Sequence, residues 1–128
     1  MKLAEFLDRV RDRGEYHSPE EAEHISTSVL RVLAARIPSQ EADDLADRLP
    51  APLDDVLHGH PARPEALGLE EFLRRVAQQT GARPRTAEWD AGAVLSTVAD
   101  AVPGAEVDHL LAQLPTGYAD LFGRPDLG

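Results

Sequence analysis

A chain of 128 residues with 42% apolar content is long enough to bury a core, as one ordinary domain or as two very small ones. Its 23 acidic residues outnumber 13 basic ones, and the formal charge of −10 repels phosphate backbones and anionic lipid, which argues against nucleic acid and membrane as partners. With no cysteine there is no disulfide frame and no thiolate chemistry; the charged start "MKLAEFLDRVRDRGEYH" lacks the apolar run of a signal peptide, and no segment reaches the ~18 to 20 apolar residues of a membrane helix, so a cytoplasmic protein is expected.

In chain order, Leu3, Phe6, Leu7 and Val10 recur at helical spacing and predict a short amphipathic opening helix. "SPEE" then reads as a helix start: Ser18 caps, Pro19 takes the first helical position, and Glu21 completes a capping box. Ala22, Ile25, Val29, Val32 or Leu33, and Ile37 mark one face of a long helix that Pro38 stops. A third helix after Ser39 buries Ala42, Leu45, Ala46 and Leu49 and ends at the "LP" of Pro50, and a short turn presents Leu53, Val56 and Leu57. "HGHPARPEALG", residues 58–68, is rich in Pro and Gly and reads as a linker.

The series then starts again. Leu69, Phe72, Leu73 and Val76 form a second opening helix, and Pro84 begins a second long one whose Ala87, Val94, Leu95, Val98 and Val102 run to Pro103. Val107, Leu110, Leu111 and Leu114 come after Gly104 and end at Pro115, and Tyr118, Leu121 and Phe122 line a last turn. No stretch alternates with period two, so no sheet is predicted.

The recurrence extends to identities. "EFLDRV" at residues 5–10 returns as "EFLRRV" at 71–76. With one residue dropped after the opening helix, residues 28–57 lie over 93–122, pairing Val29/Val94, Leu30/Leu95, Pro38/Pro103, Glu41/Glu106, Asp43/Asp108, Leu45/Leu110, Leu49/Leu114, Pro50/Pro115 and Asp55/Asp120. Self-similarity of this period reads as an internal duplication. The expected organisation is a first helical repeat at 1–57, a linker at 58–68, a second repeat at 69–122 and a C-terminal tail at 123–128. Each repeat has about three helices plus a short turn helix. A unit of about fifty residues is small for an independent core, so the expected fold is all-α, with both repeats packed as one pseudo-twofold helical bundle and Phe6 and Phe72 buried at matching positions.

The "EF-L-x-R-V" opening helix, the long middle helix and "EADDLADRLP", each with a divergent second copy, resemble the bacterial family catalogued as domain of unknown function 2267. The resemblance spans about Leu3 to Phe122 and is carried by Glu5, Phe6, Leu7, Val10, Asp43, Leu45, Leu49, Pro50 and their partners in the second copy, chiefly packing and capping positions. It implies an all-helical fold and a bacterial origin, and brings no catalytic residue with it. The second copy departs from the first with Trp89 opposite His24 and His109 opposite Asp44.

Chemistry is sparse. Glu21 with His24 and Glu106 with His109 have the Glu-x-x-His spacing of di-metal bundles, but the equivalents are Thr86 and Trp89, and Glu41 and Asp44, so the pairs sit on different helices of their units. His58 and His60 of "HGH" could share a cation, yet a structural zinc needs about four ligands, and solvated linker histidines are the plainer reading. No serine elbow and no phosphate loop is present, and Gly14, Gly81 and Gly104 sit at helix ends. No residue is assigned as catalytic, cofactor-binding or metal-ligating. Trp89, at helical spacing among apolar residues, reads as packed or half-buried. The one candidate partner-binding set is acidic: Asp43, Asp44, Asp47, Asp54 and Asp55, with Glu41 beside them, where the second copy keeps only Glu106, Asp108 and Asp120. These residues favour a non-catalytic interaction or regulatory module for a protein partner with a basic surface, with a small metal- or ligand-binding helical protein as the alternative.

Overall fold

The computed structural model describes residues 1–58 and 64–124, and among these it contains eight helices and no strand. The helices are α1 (Leu3–Gly14), α2 (Pro19–Arg36), α3 (Ser39–Ala46), α4 (Leu53–Leu57), α5 (Leu69–Thr80), α6 (Pro84–Ala101), α7 (Gly104–Leu111) and α8 (Tyr118–Leu121). Residues 59–63 of the predicted linker, with His60, and 125–128 of the predicted tail lie outside the described residues.

Local chemistry sets the helix ends. The α1 carbonyl of Arg11 accepts from the N–H groups of Glu15 and Tyr16, which requires Glu15 to turn into the left-handed region at φ 56. At the end of α5 the same turn is made by Gly81, at φ 78, with Ala77 as acceptor. Glycine adopts that conformation freely and glutamate does not. Ser18 Oγ accepts the Glu21 N–H at 3.1 Å, as a capping serine should, but the Glu21 carboxylate takes the N–H of His17 at 3.4 Å, so the expected box closes one residue further out. Both long helices stop at an extended residue before proline, Ile37 and Val102.

The third helices end sooner than the spacing predicts, at Ala46 and Leu111 rather than at the "LP" pairs. The N–H groups of Arg48 and Leu49 bond to carbonyls only three residues back, and so do those of Gln113 and Leu114. The following proline disfavours α geometry in the residue before it, so the last turn tightens. Leu49 is still buried, while Leu114 is partly exposed.

The long helices α2 and α6 touch each other at the centre. α1 lies against both of them, and so does α5; α4 covers α2, α3 packs on α4, and α8 covers α6. One core results, in which Phe6, Val10, Val29, Leu30 and Leu33 meet Phe72, Val76, Val94, Leu95 and Val98 with no exposure at all. Polar contacts bridge the same helices: Arg13 of α1 donates to Ser96 of α6 at 3.1 Å, and Arg31 of α2 to Gln79 of α5 at 3.3 Å. At the far end Arg48 reaches Glu106 at 3.3 Å and Gln113 reaches Glu41 at 3.1 Å.

The described end of the linker is tied down. Leu67 is buried, and its carbonyl accepts from Arg36 Nε at 2.8 Å and from the Tyr118 hydroxyl at 3.0 Å. The Tyr118 ring meets Phe72 edge-on at 5.1 Å between centroids, and the Arg36 guanidinium stands 5.7 Å over it.

Truncating Phe6 or Phe72 to alanine should cost on the order of 3 to 5 kcal/mol each; a thermal melt unchanged by either substitution would contradict their place in the core. Replacing Glu15 by glycine relieves a left-handed glutamate and should raise stability by about 1 kcal/mol; denaturant unfolding with a midpoint at or below that of the parent would refute the strain.

Candidate functional site

Helix α6 passes the end of α1 with the stretch "AEWDAG", and its period sorts those residues. Ala87, Asp90, Ala91 and Val94 turn inward, so Glu88 and Trp89 face out. Trp89 is 53% exposed, so of the packed and half-buried positions expected of it the core one is excluded, and it is the exposed large apolar side chain among the described residues. Its ring is nonetheless held: the indole N–H donates to the carbonyl of Gly14 at 3.1 Å, one of the acceptors that a helix C-terminus leaves without an intrahelical partner.

Trp89 lines an open groove of about 530 Å³ with Arg13, Arg85, Glu88, Ser96 and Asp120, the last contributed by α8. A smaller depression of about 270 Å³ shares Arg13 and Ser96 and continues to Asp100 and Arg124. The charges differ in how far they are engaged. Arg13 is bound to Asp100 at 2.6 Å and donates to Ser96 and Thr97 at 3.1 Å. Arg124 is paired with Asp108 at 3.3 Å. The side chains of Arg85, Glu88 and Asp120 make no hydrogen bond or ion pair among the described residues.

Under Trp89 the next residue does the opposite. Asp90 is 2% exposed and accepts a short hydrogen bond from the Tyr16 hydroxyl. Burial pushes the Asp90 carboxyl above its usual range, with the negative charge of Glu21 adding to the rise and the Tyr16 bond opposing it. Burial, with Asp90 adding, likewise pushes the Tyr16 hydroxyl far above its ordinary value. The Tyr16 ring lies where a Cβ on Gly14 would be, so Gly14 admits the ring and also supplies the acceptor for Trp89. Sequence reasoning passes over Tyr16 and Asp90. The signal lies in the sequence recurrence: at its offset Asp90 falls opposite Ile25, a core position carrying a carboxyl.

The five aspartates singled out from the sequence lie elsewhere, on α3, at its C-cap and on α4. Asp43 pairs with His58 Nδ1 at 3.1 Å, Asp44 accepts from Gln40 at 3.1 Å, and Asp47 caps α3. Asp54 and Asp55 open α4; Asp55 is exposed, whereas one Asp54 carboxylate oxygen is buried without a hydrogen-bond partner among the described residues. Of the Glu-x-x-His pairs, Glu21 is engaged at the start of α2 while His24 is exposed, and Glu106 and His109 each turn to a different residue, Arg48 and Glu41. Among the described residues no group of three or more His, Cys, Asp or Glu side chains is placed to hold a metal ion.

Residues 4–121 match the family model described as "Uncharacterized conserved protein (DUF2267)", and the chain belongs to that family. No curated protein matches it. No helix among the described residues is long and apolar enough to cross a membrane.

Because the folded state raises the Asp90 pKa, it holds that proton more tightly than the unfolded chain does, so this group's contribution to stability falls as pH rises through the window above ~4 and then levels. Denaturant unfolding of the parent and of Asp90→Asn across ~pH 4 to ~pH 7 should show the parent losing stability relative to the variant. A difference that stays flat or grows with pH would rule this out.

Proposed function

We propose that this member of the DUF2267 family is a tandem duplication of one four-helix unit, its copies packed about a pseudo-twofold axis, and that it acts as a non-catalytic helical interaction or regulatory module in the bacterial cytoplasm. The duplication is supported by helix lengths of 12, 18, 8 and 5 residues followed by 12, 18, 8 and 4. It is supported further by reciprocal contacts. Arg13 aligns with Gln79 and Ser96 with Arg31, so the contact of α1 with α6 is answered by that of α5 with α2. Glu41 aligns with Glu106 and Arg48 with Gln113, and Arg48–Glu106 is answered by Gln113–Glu41. A twofold operation exchanges partners in this way.

The observation that carries the functional reading is Trp89, exposed in a groove by a chain that buries its other large apolar side chains wholly or in part among the described residues. Tryptophan is enriched where a few residues dominate binding energy, and this one is held in place by Gly14. A protein partner docks along the groove, with Trp89 as its anchor. The site belongs to what distinguishes the copies, since the first carries His24 and Ile25 where the second carries Trp89 and Asp90. The aspartates of α3 and α4 add a negative field that speeds encounter with a basic partner and is screened over ~8 to 10 Å at ordinary salt.

A second reading, a small-ligand-binding protein, rests on the groove volume of about 530 Å³, within the ~300 to 1,000 Å³ of small-molecule sites. A stoichiometric small molecule in the native mass spectrum of the purified chain would favour it.

The docking reading is checked by capture of partners from lysate with the parent chain and with folded Trp89→Ala. The alanine variant should bind a captured partner at least ~30-fold more weakly; parental affinity would end the assignment. Neutralising Asp44, Asp47 and Asp54 together should slow association at low salt and leave the fold intact, and an unchanged association rate would reduce the acidic face to a solvated surface.

A further inference from the structure

The groove's chemistry identifies what a partner would place in it. The indole N–H of Trp89 is already used on Gly14, so the ring offers an incoming group its π system and its apolar edge. Of the charged residues lining the groove, Arg13 shares the Asp100 carboxylate with Arg9, which Glu5 also pairs, and is tied by two hydroxyls. The two carboxylates, Glu88 on α6 and Asp120 on α8, have no partner among the described residues. A tryptophan face beside two free carboxylates, on a chain of formal charge −10, is complementary to a cation.

The alignment of the two copies points the same way. Glu23 and Asp55 stand opposite Glu88 and Asp120, so both carboxylates recur while the residues around them change: Glu20 opposite Arg85, His24 opposite Trp89, Arg31 opposite Ser96. Only the second copy carries an indole in this set.

We propose that the groove formed by Trp89, Glu88 and Asp120 is a receptor for an arginine side chain carried by a protein partner. Guanidinium suits it better than ammonium, because a planar, weakly hydrated cation stacks on indole and can hydrogen-bond a carboxylate in two places at once. Arg85, whose side chain has no partner among the described residues, gives the site its selectivity: it repels a second positive charge next to the first and favours a partner whose arginine is followed by a neutral or acidic residue. The proposal rests on the docking reading and names the group that docks.

Trp89 is the only tryptophan of the chain, so its fluorescence reports this site alone. Titration with triarginine amide should give a saturable change in Trp89 emission, while triglutamate should give none. The apparent affinity should fall about 10-fold in Glu88→Gln/Asp120→Asn and rise about 3-fold in Arg85→Gln, since one removes the attraction and the other a repulsion. Neutralising Asp43, Asp44 and Asp47 should leave the emission change in place, and thermal melts of each variant confirm that it is folded. Binding of triglutamate that is lost in Arg85→Gln would reverse the sign of the site and overturn the proposal. So would a triarginine response that ignores Glu88 and Asp120 or tracks the α3 aspartates instead. A captured partner that needs Trp89 but tolerates Glu88→Gln/Asp120→Asn would sink the arginine assignment and leave the docking reading standing; one indifferent to Trp89 would sink both.

Discussion

The opening helix of each four-helix stretch is covered by the long helix of the other stretch: α1 lies on α6 as well as on α2, and α5 lies on α2 as well as on α6. Phe6 and Val10 on α1, and Phe72 and Val76 on α5, have zero exposure between these helices. A helical stretch of about fifty residues has little interior of its own, and packing the two stretches together gives one shared core. The groove, the buried carboxyl and the anchored linker end all depend on that crossing.

The groove depends on it most directly. By laying α1 across α6, the fold brings the C-terminal carbonyl of Gly14 to the indole of Trp89 and the hydroxyl of Tyr16 to the carboxyl of Asp90. Adjacent residues on α6 thus meet opposite fates, one ring held at the surface and one carboxyl held under it. Burying a carboxyl is costly unless it is hydrogen-bonded or protonated, and both the Tyr16 bond and the raised pKa arise from that cost. At the corresponding crossing of α5 over α2, Ile25 takes the place of Asp90 and is buried as an ordinary core residue, while Arg31 and Gln79 supply the polar contact.

The position of the linker end is also set by this core. Leu67 belongs to a stretch whose composition reads as a plain connection, yet its side chain is buried and its carbonyl satisfies both Arg36 and Tyr118. Two buried or half-buried donors from α2 and α8 need an acceptor, and a backbone carbonyl between the two stretches serves both. Tyr118 then completes the apolar contact with Phe72, so the connection braces α5 against α8.

What the sequence determined by itself was whatever depends on near neighbours along the chain. Apolar spacing located every helix, Ser18 and Pro19 fixed the start of α2, prolines 38 and 103 fixed the ends of the long helices, and the recurring hexapeptide marked Phe6 and Phe72 as core. Proline's effect reached one turn further back than expected, which shortened α3 and α7. The anchoring of the Trp89 ring, the partner of the Asp90 carboxyl and the engagement of Arg13 could not be read in that way, because each is supplied by a residue more than seventy positions distant: Gly14 for Trp89, Tyr16 for Asp90, Asp100 for Arg13. Spacing tells which side of a helix a residue occupies; only the helix that crosses it decides whether that side is core, surface or groove.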